Sequence, residues 1–567
     1  MSRSPKAAAA RNAASHPDAA PDRRHIIFVL IGLMTAMLLA SLDQTIFSTA
    51  LPTIVGELDG VSHMLWITTA YILAATIMMP VYGKLGDLMG RKSLLLIAIG
   101  LFMFGSIVGG LAQNMPELIA GRAIQGLGGG GLMILSQAIL AEVVPARERG
   151  RYVGFMGAVF AVSSIAGPLL GGWFTESIGW RWCLWINIPL GLIALASAIL
   201  FIHLPHRERG KVRVDVLGMV LLAVASTALI LVTSWGGNTY AWGSPVIISL
   251  ILLTVLTAIA FIWVERKAVE PVMPLAMFRN KNFNLVTAAG LLTGIAMFGA
   301  LAYMPTYLQM VAGVDATRAG LLMIPMMGAL LVTAVGSGRA VTRTGKYKHF
   351  PIIGSVFIGA SLGLLSTLTV ATPLWLVCTY LAFMGIGLGL TMQILILVVQ
   401  NSFPLSMVGT ATASNNYFRQ IGASLGAAIV GSLFTARLVT LLGERLPAGA
   451  GGDKNSLTPE SVQNLPDAIR DVIVGSYNDA LTPVFLLMVP VAVISFALLW
   501  LVKEVPLRTT IDTPETITEA MGIEEASIAE GSRETSELAV VGASVAGEGA
   551  EPDADDSSVA NVDRTQR

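Results

Sequence analysis

The feature that most constrains this chain is a succession of apolar runs of about 20 residues, the length an α-helix needs to cross the hydrocarbon of a bilayer. They fall near 26–50, 64–82, 93–112, 118–141, 152–173, 182–203, 214–234 and 245–264, and again near 284–310, 319–338, 350–370, 374–398, 407–435 and 480–502. Of the 567 residues 54% are apolar and only 13% charged, which excludes an ordinary soluble domain. The predicted fold class is an all-α polytopic membrane protein with fourteen transmembrane helices.

An even number of spans puts both tails on one side, and the basic residues say which. Arg23/Arg24, Lys84/Arg91/Lys92, Arg147/Arg149/Arg151, Arg207/Arg209/Lys211/Arg213, Arg266/Lys267/Arg279/Lys281 and Arg339/Arg343/Lys346/Lys348 all occupy alternate connections. By the positive-inside rule those connections and both tails are cytoplasmic. The longest outer connection is expected over 436–479. Residues 511–567 carry 14 Asp/Glu against 3 Lys/Arg. That composition predicts a disordered acidic tail from 504 onward, matched by a loose N-tail over 1–25. The first run is long enough to span and shows no short apolar region with a cleavage site, so no cleavable signal peptide is expected. Cys183 and Cys378 make no metal spacing and read as small hydrophobes.

An internal repeat emerges by offset. Gly83 and Gly90 recur 255 positions later as Gly338 and Gly345, while Gly126, Gly128, Gly130 and Pro145 recur 259 later as Gly385, Gly387, Gly389 and Pro404. The second offset also carries Gly150, Gly167 and Gly172 onto Gly409, Gly426 and Gly431. Spans 1–6 therefore match spans 9–14, giving two pseudo-symmetric six-helix bundles over 26–205 and 281–503, with two inserted helices in 206–280. The charges do not repeat: Asp87 maps to Thr342, Arg122 to Leu381, Glu142 to Asn401, Pro168 to Ala427, and Asp43 near Phe298. Packing is thus expected in both halves and ion coupling mainly in the first.

Four segments resemble motifs of a known family. GKLGDLMGRKSLL at 83–95 is similar to the loop motif between spans 2 and 3 of the major facilitator superfamily, and LIAGRAIQGLG at 118–128 to its Arg-bearing motif of span 4. GPLLGG at 167–172 resembles the antiporter motif of span 5, and LDQTIFSTALP at 42–52 the span 1 motif of the fourteen-span drug/proton antiporters. The resemblance covers about 26–503. One departure is Leu88, where the loop motif usually has Arg, which weakens part of the family's charge network. The resemblance implies alternating access between two bundles, a proton gradient in place of any cofactor, and a multi-pass protein of a bacterial cell membrane, working as a monomer on small amphipathic substrates.

Asp43 is the residue this frame turns on, because a carboxylate deep in an apolar helix is expensive. It lies about 27 Å along its helix from His25, in the outer half of the membrane. Desolvation there favours the protonated form and water or a nearby cation the ionised form, as a proton coupler requires. The plainer reading is an Asp bonded to helix backbone or Thr45. Arg122 sits at similar depth and can pair with Asp43 or snorkel to the outer interface. Gly83, Asp87, Gly90 and Arg91 read as a tight cytoplasmic turn in which Asp87 accepts hydrogen bonds at a neighbouring helix start. In the family this loop is a conformational clamp. Glu142 either pairs with Arg91 or Lys92 or is an ordinary helix-end charge.

Pro168 removes an amide donor, and Gly167, Gly171 and Gly172 let a neighbour approach, as a plain kink or as the family's antiporter element. Phe47, Trp66, Tyr71, Tyr303, Tyr307 and Arg419 are candidates for a substrate cavity, Arg419 equally for interface packing. The sparse acids argue for a monovalent lipophilic cation or a neutral amphipath. GLGGGG at 126–131 lies in an apolar run without a following Lys-Ser/Thr, so it is no phosphate loop. No metal-ligand cluster, nucleophile constellation or nucleic-acid signature appears, which sets a membrane enzyme behind an exporter of drugs, an exporter of one metabolite or lipid, and an uptake symporter.

Overall fold

In hydrocarbon every backbone amide must be satisfied within its own segment, and the apolar runs answer with helices. The computed structural model describes residues 23–58, 63–202, 204, 213–237, 239–446, 462–463 and 465–508. The expected N-tail up to residue 22 and the acidic segment from 509 onward lie outside the described residues. The first half contains α1 (Arg23–Glu57), α2 (Met64–Met89), α3 (Arg91–Gly110), α4 (Met115–Val143), α5 (Ala146–Ser177) and α6 (Asn187–Phe201). Then come α7 (Val216–Trp235) and α8 (Pro245–Glu265). The second half contains α9 (Lys281–Leu301), α10 (Ile324–Thr344), α11 (His349–Leu365), α12 (Leu374–Asn401), α13 (Val408–Arg445) and α14 (Asp467–Leu501). Among the described residues 13 helices are long and apolar enough to cross a membrane, and α11 is a shorter apolar helix, a set compatible with the expected fourteen. Polar caps mark several starts: Asn114 accepts from the Glu117 amide, Asp215 from Gly218 and Ser244 from Ile247.

Within the first half α4 packs on α2 and α3, and α1 on α5 and α6; within the second, α12 packs on α10 and α11, and α9 on α13 and α14. Helices α5 and α10, and α2 and α13, join the halves. Helix α7 leans on α2 and α13, while α8 touches mainly α7 and buries only 6% of its apolar window, leaving the rest to lipid.

The repeated glycines explain this arrangement, because each marks a place where one helix meets another's backbone. A Cβ on Gly126 would fall on the Tyr71 carbonyl, and one on Gly385 on the Met326 carbonyl, 255 positions further. Gly128 and Gly387 meet the carbonyls of Ala98 and Gly354 in the same way, and Gly130 and Gly389 those of Ala75 and Leu330. Across the halves Gly83 faces Gly409 while Gly338 faces Gly150, two symmetry-related copies of one contact. The first helix of each half departs from the expected register. Gly167 meets Thr45 and Gly426 meets Ile295, an offset of 250, which puts Thr293 opposite Asp43 instead of the neighbourhood of Phe298.

Three further expectations change. Gly83 and Asp87 belong to helix α2, and only Gly90, at φ 97°, makes the turn into α3. The connection expected over 436–479 is shorter, since α13 continues to Arg445 and α14 starts at Asp467; part of what lies between is outside the described residues. The expected C-tail begins with residues bonded to the end of the molecule that carries the basic connections, here called the basic end. Glu504 accepts from the amides of Tyr347 and Lys348, Asn401 donates to the carbonyls of Val505 and Pro506, and Leu507 is buried. The Arg508 carbonyl accepts from the Arg147 amide of the first half at 3.0 Å. These side-chain and backbone bonds hold in place a segment that composition alone marks as loose.

At the far end Arg181 bonds Glu57 at 2.6 Å and holds its carboxyl below the ordinary value of 4.5. This small, solvent-screened contribution is present above that value and fades as pH falls below it.

Replacing Gly83 or Gly338 by Leu should wedge the halves apart at the basic end. Overpacking of this kind costs about 1–3 kcal/mol, so spin labels across α5 and α10 should show a longer mean distance than in the unsubstituted protein. Gly172→Leu, whose site faces open space, should leave the distance unchanged.

Candidate functional site

Asp43 lies on α1 farther from a helix end than any other described carboxylate, and it is fully buried. Its side chain accepts from Arg122 Nη1 at 2.5 Å, Gln125 Nε2 at 2.9 Å and Asn187 Nδ2 at 2.9 Å. Arg122 and Gln125 stand three residues apart on α4 and so share a face, and the Gln125 carbonyl also accepts from Arg122 at 2.7 Å. Arg122 Nε donates to the Ile67 carbonyl, and the guanidinium lies between the rings of Phe47 and Tyr71, 4.3 and 4.4 Å from their centroids. Ser106 of α3 accepts from both Gln125 and Asn187. A buried ion pair survives only when its remaining donors and acceptors are satisfied, and four helices supply them here.

The structure thus brings Asp43 and Arg122 together. Thr45 donates to the carbonyls of Leu42 and Ser163. Gln125, Asn187 and Ser106 were not singled out from the sequence, although a lone polar residue in an apolar run was the signal that could have found them.

A second cluster closes the basic end. Asp87 accepts from the amides of Gly409 and Thr410 at 3.1 and 2.7 Å and from the Thr410 hydroxyl at 2.8 Å. These are the first turn of α13, where free amides and the helix dipole favour an anion. Arg91 bonds Asp87 at 2.7 Å, Glu142 at 3.0 Å and the Leu405 carbonyl just before α13 at 2.7 Å. Lys92 donates instead to the Ile199 carbonyl. Lys84 pairs with Glu270 at 2.6 Å, tying α2 to the connection after α8. Buried Arg149 adds a bond to Gln400 of α12. The partners on the second half, Gly409, Thr410, Leu405 and Gln400, escaped the sequence because the repeat compared halves without saying which surfaces meet.

In the span 5 motif Gly167 and Gly171 face α1, and a Cβ on either would strike Thr45 or the Ile46 carbonyl. Gly172 has nothing within 4 Å and plays no part in that contact. Pro168 interrupts the α5 ladder, and Thr49 of α1 donates to its carbonyl at 3.2 Å.

Between the halves lies a cavity of about 80 Å³ lined from α1, α2, α4, α5, α9, α10, α12 and α13. It has room for a few waters, whereas a drug-sized pocket needs about 300–1,000 Å³. Of the six residues expected at a substrate cavity, only Arg419 lines this one, while Tyr303 lines a separate cavity of about 310 Å³ within the second half. Phe47 and Tyr71 are drawn onto the Arg122 guanidinium, and Trp66 meets the Trp235 ring of α7 edge-on at 5.9 Å. Tyr303 and Tyr307 donate to the Ala427 carbonyl and to Asn478 inside the second half. Tyrosine hydroxyls in lipid seek acceptors, and here those acceptors lie away from the cavity.

Removing one partner of a buried pair strands the other, at a cost of about 3–5 kcal/mol. Arg122→Ala should therefore lower the melting temperature of the purified protein more than the neutral pair Asp43→Asn with Arg122→Gln does.

The profile of the Major Facilitator Superfamily matches residues 33–427. An uncharacterized MFS-type transporter of Mycobacterium tuberculosis is 41% identical over 513 residues, covering 90% of this chain and 74% of the relative. Multidrug resistance protein 3 of Bacillus subtilis is 33% identical, covering 84% of this chain and 95% of that one. Among solved structures, the proton:xylose symporter XylE aligns with TM-score 0.53 at 18% identity, over 85% of this chain and 96% of XylE, a likeness of fold alone. The succession of apolar helices, the glycine-matched halves and these similarities together make the chain a member of the major facilitator superfamily.

Proposed function

We propose that the protein is a proton-coupled efflux antiporter that exports small amphipathic compounds across a bacterial cell membrane by alternating access, with both termini cytoplasmic. The observation that carries this reading is the Asp43–Arg122 pair, a buried carboxylate inside the helix bundle that accepts from Arg122, Gln125 and Asn187 on two neighbouring helices. Support also comes from the relative named for multidrug resistance.

In this reading a proton arriving from outside neutralises Asp43 and removes the charge that anchors Arg122. The guanidinium then reorganises against Phe47 and Tyr71, and because α4 also packs on α2, the change reaches the Asp87–Arg91 cluster that holds α13. Release of that cluster opens the basic end, substrate enters from the cytoplasm, and loss of the proton inside restores the ion pair. Gly167, Pro168 and Gly171 keep α1 and α5 moving as one body.

In everted vesicles containing the protein, addition of a transported fluorescent amphipath should release protons, and Asp43→Asn should abolish that release. Undiminished proton release from the Asn variant would sink the coupling assignment.

A further inference from the structure

We propose that the residues lining the central cavity, which in this closed arrangement holds only a few waters and widens as the halves part, select amphipathic monoanions, an acidic group on an apolar body, and that Arg419 of α13 holds the charge. This rests on the exporter reading only in treating the cavity as the transport site. Among the described residues lining the cavity Arg419 is the only charged one, and the polar ones beside it are the neutral Gln44, Gln137, Gln393, Gln420 and Thr76. Among the described residues Arg419 makes no ion pair; its Nη2 donates to Asn416 Oδ1 at 2.7 Å. Asn416 in turn donates to Gln137 Oε1 at 3.0 Å, so a chain of amides orients the guanidinium. A guanidinium carries five N–H donors in a fixed fork suited to a carboxylate, and this one has donors to spare.

Asp43, buried deep in the first half, cannot serve a cationic ligand instead. Asp43 is fully buried, holds three donors and does not line the cavity. A cationic ligand would therefore meet Arg419 with no carboxylate to offset the repulsion, whereas an anion relieves an otherwise unpaired charge in a low-dielectric site. The rest of the wall suits a variable apolar body: six methionines line it, one each from α1, α2, α4, α5, α9 and α12. Gln393 Oε1 is buried without a partner and offers one acceptor to a donor on that body. The scarcity of acids, which in the sequence pointed to a monovalent cation or a neutral amphipath, here favours the opposite charge. If one proton enters per anion leaving, each cycle moves two positive charges inward, so an inside-negative potential drives export.

The test is equilibrium binding to the full-length protein in nanodiscs at pH 7.5, using 6-(dansylamino)hexanoate, its methyl ester and dansylcadaverine as matched anionic, neutral and cationic probes. The carboxylate should bind at least about tenfold more tightly than the other two, since a hydrogen bond to a charged group is stronger than one between neutral groups. Arg419→Gln should weaken carboxylate binding about tenfold and leave the ester within about twofold, and Arg419→Lys should recover part of the loss. Tighter binding of dansylcadaverine, or unchanged carboxylate binding in the Gln variant while the ester still binds, overturns the proposal. In proteoliposomes with an imposed pH gradient, carboxylate binding without proton-driven efflux refutes the exporter reading and upholds the anion class, and proton-driven efflux of dansylcadaverine alone does the reverse.

Discussion

Lipid tails are as apolar as leucine, so helices in a bilayer gain little by hiding apolar surface from one another, and close backbone approach has to hold them. That constraint governs this molecule. At Gly126, Gly128 and Gly130 in one half, and at Gly385, Gly387 and Gly389 in the other, a side chain would occupy the space of a neighbouring carbonyl. The same kind of contact joins the halves at Gly83 with Gly409 and Gly150 with Gly338. Since these contacts involve backbone and not interlocked side chains, they hold or part as units, which suits two bodies that rock against each other.

Polarity is laid over this symmetric frame unequally. The first half carries Asp43, Arg122, Gln125 and Asn187 in one connected network, while the register-matched position to Asp43 in the second half is Thr293, whose hydroxyl has no partner among the described residues. Arg419 is the second half's contribution, and it faces the cavity. Charge that is fully compensated within one half and charge left uncompensated at the cavity can serve different ends, the first as an internal switch and the second as a surface for a ligand.

The basic end shows how a few polar groups bridge otherwise apolar bodies. Asp87 belongs to α2, yet most of its hydrogen bonds go to the start of α13, and Arg91 reaches both its own half and Leu405. The segment 503–508 adds a further bridge, bonded to Tyr347 and Asn401 on one side and to Arg147 on the other. Closure at this end is thus a matter of hydrogen bonds to helix starts and loop carbonyls, groups that water could satisfy equally well.

Much of this was legible in the residues alone. Span positions follow from run length, the repeat from glycine offsets, and the importance of Asp43 from the cost of a carboxylate in an apolar helix, all of which are local or periodic properties. What only the tertiary structure decided is which surfaces meet. The amide companions of Asp43 come from α4 and α6, Phe47 and Tyr71 turn to a guanidinium and away from the cavity, and Gly172 faces empty space while Gly171 touches α1. A helical sequence specifies its own faces through its period, but which neighbour a face receives depends on residues tens to hundreds of positions away. That is why the sequence determined that a charge would be buried near Asp43, and the fold determined what would surround it.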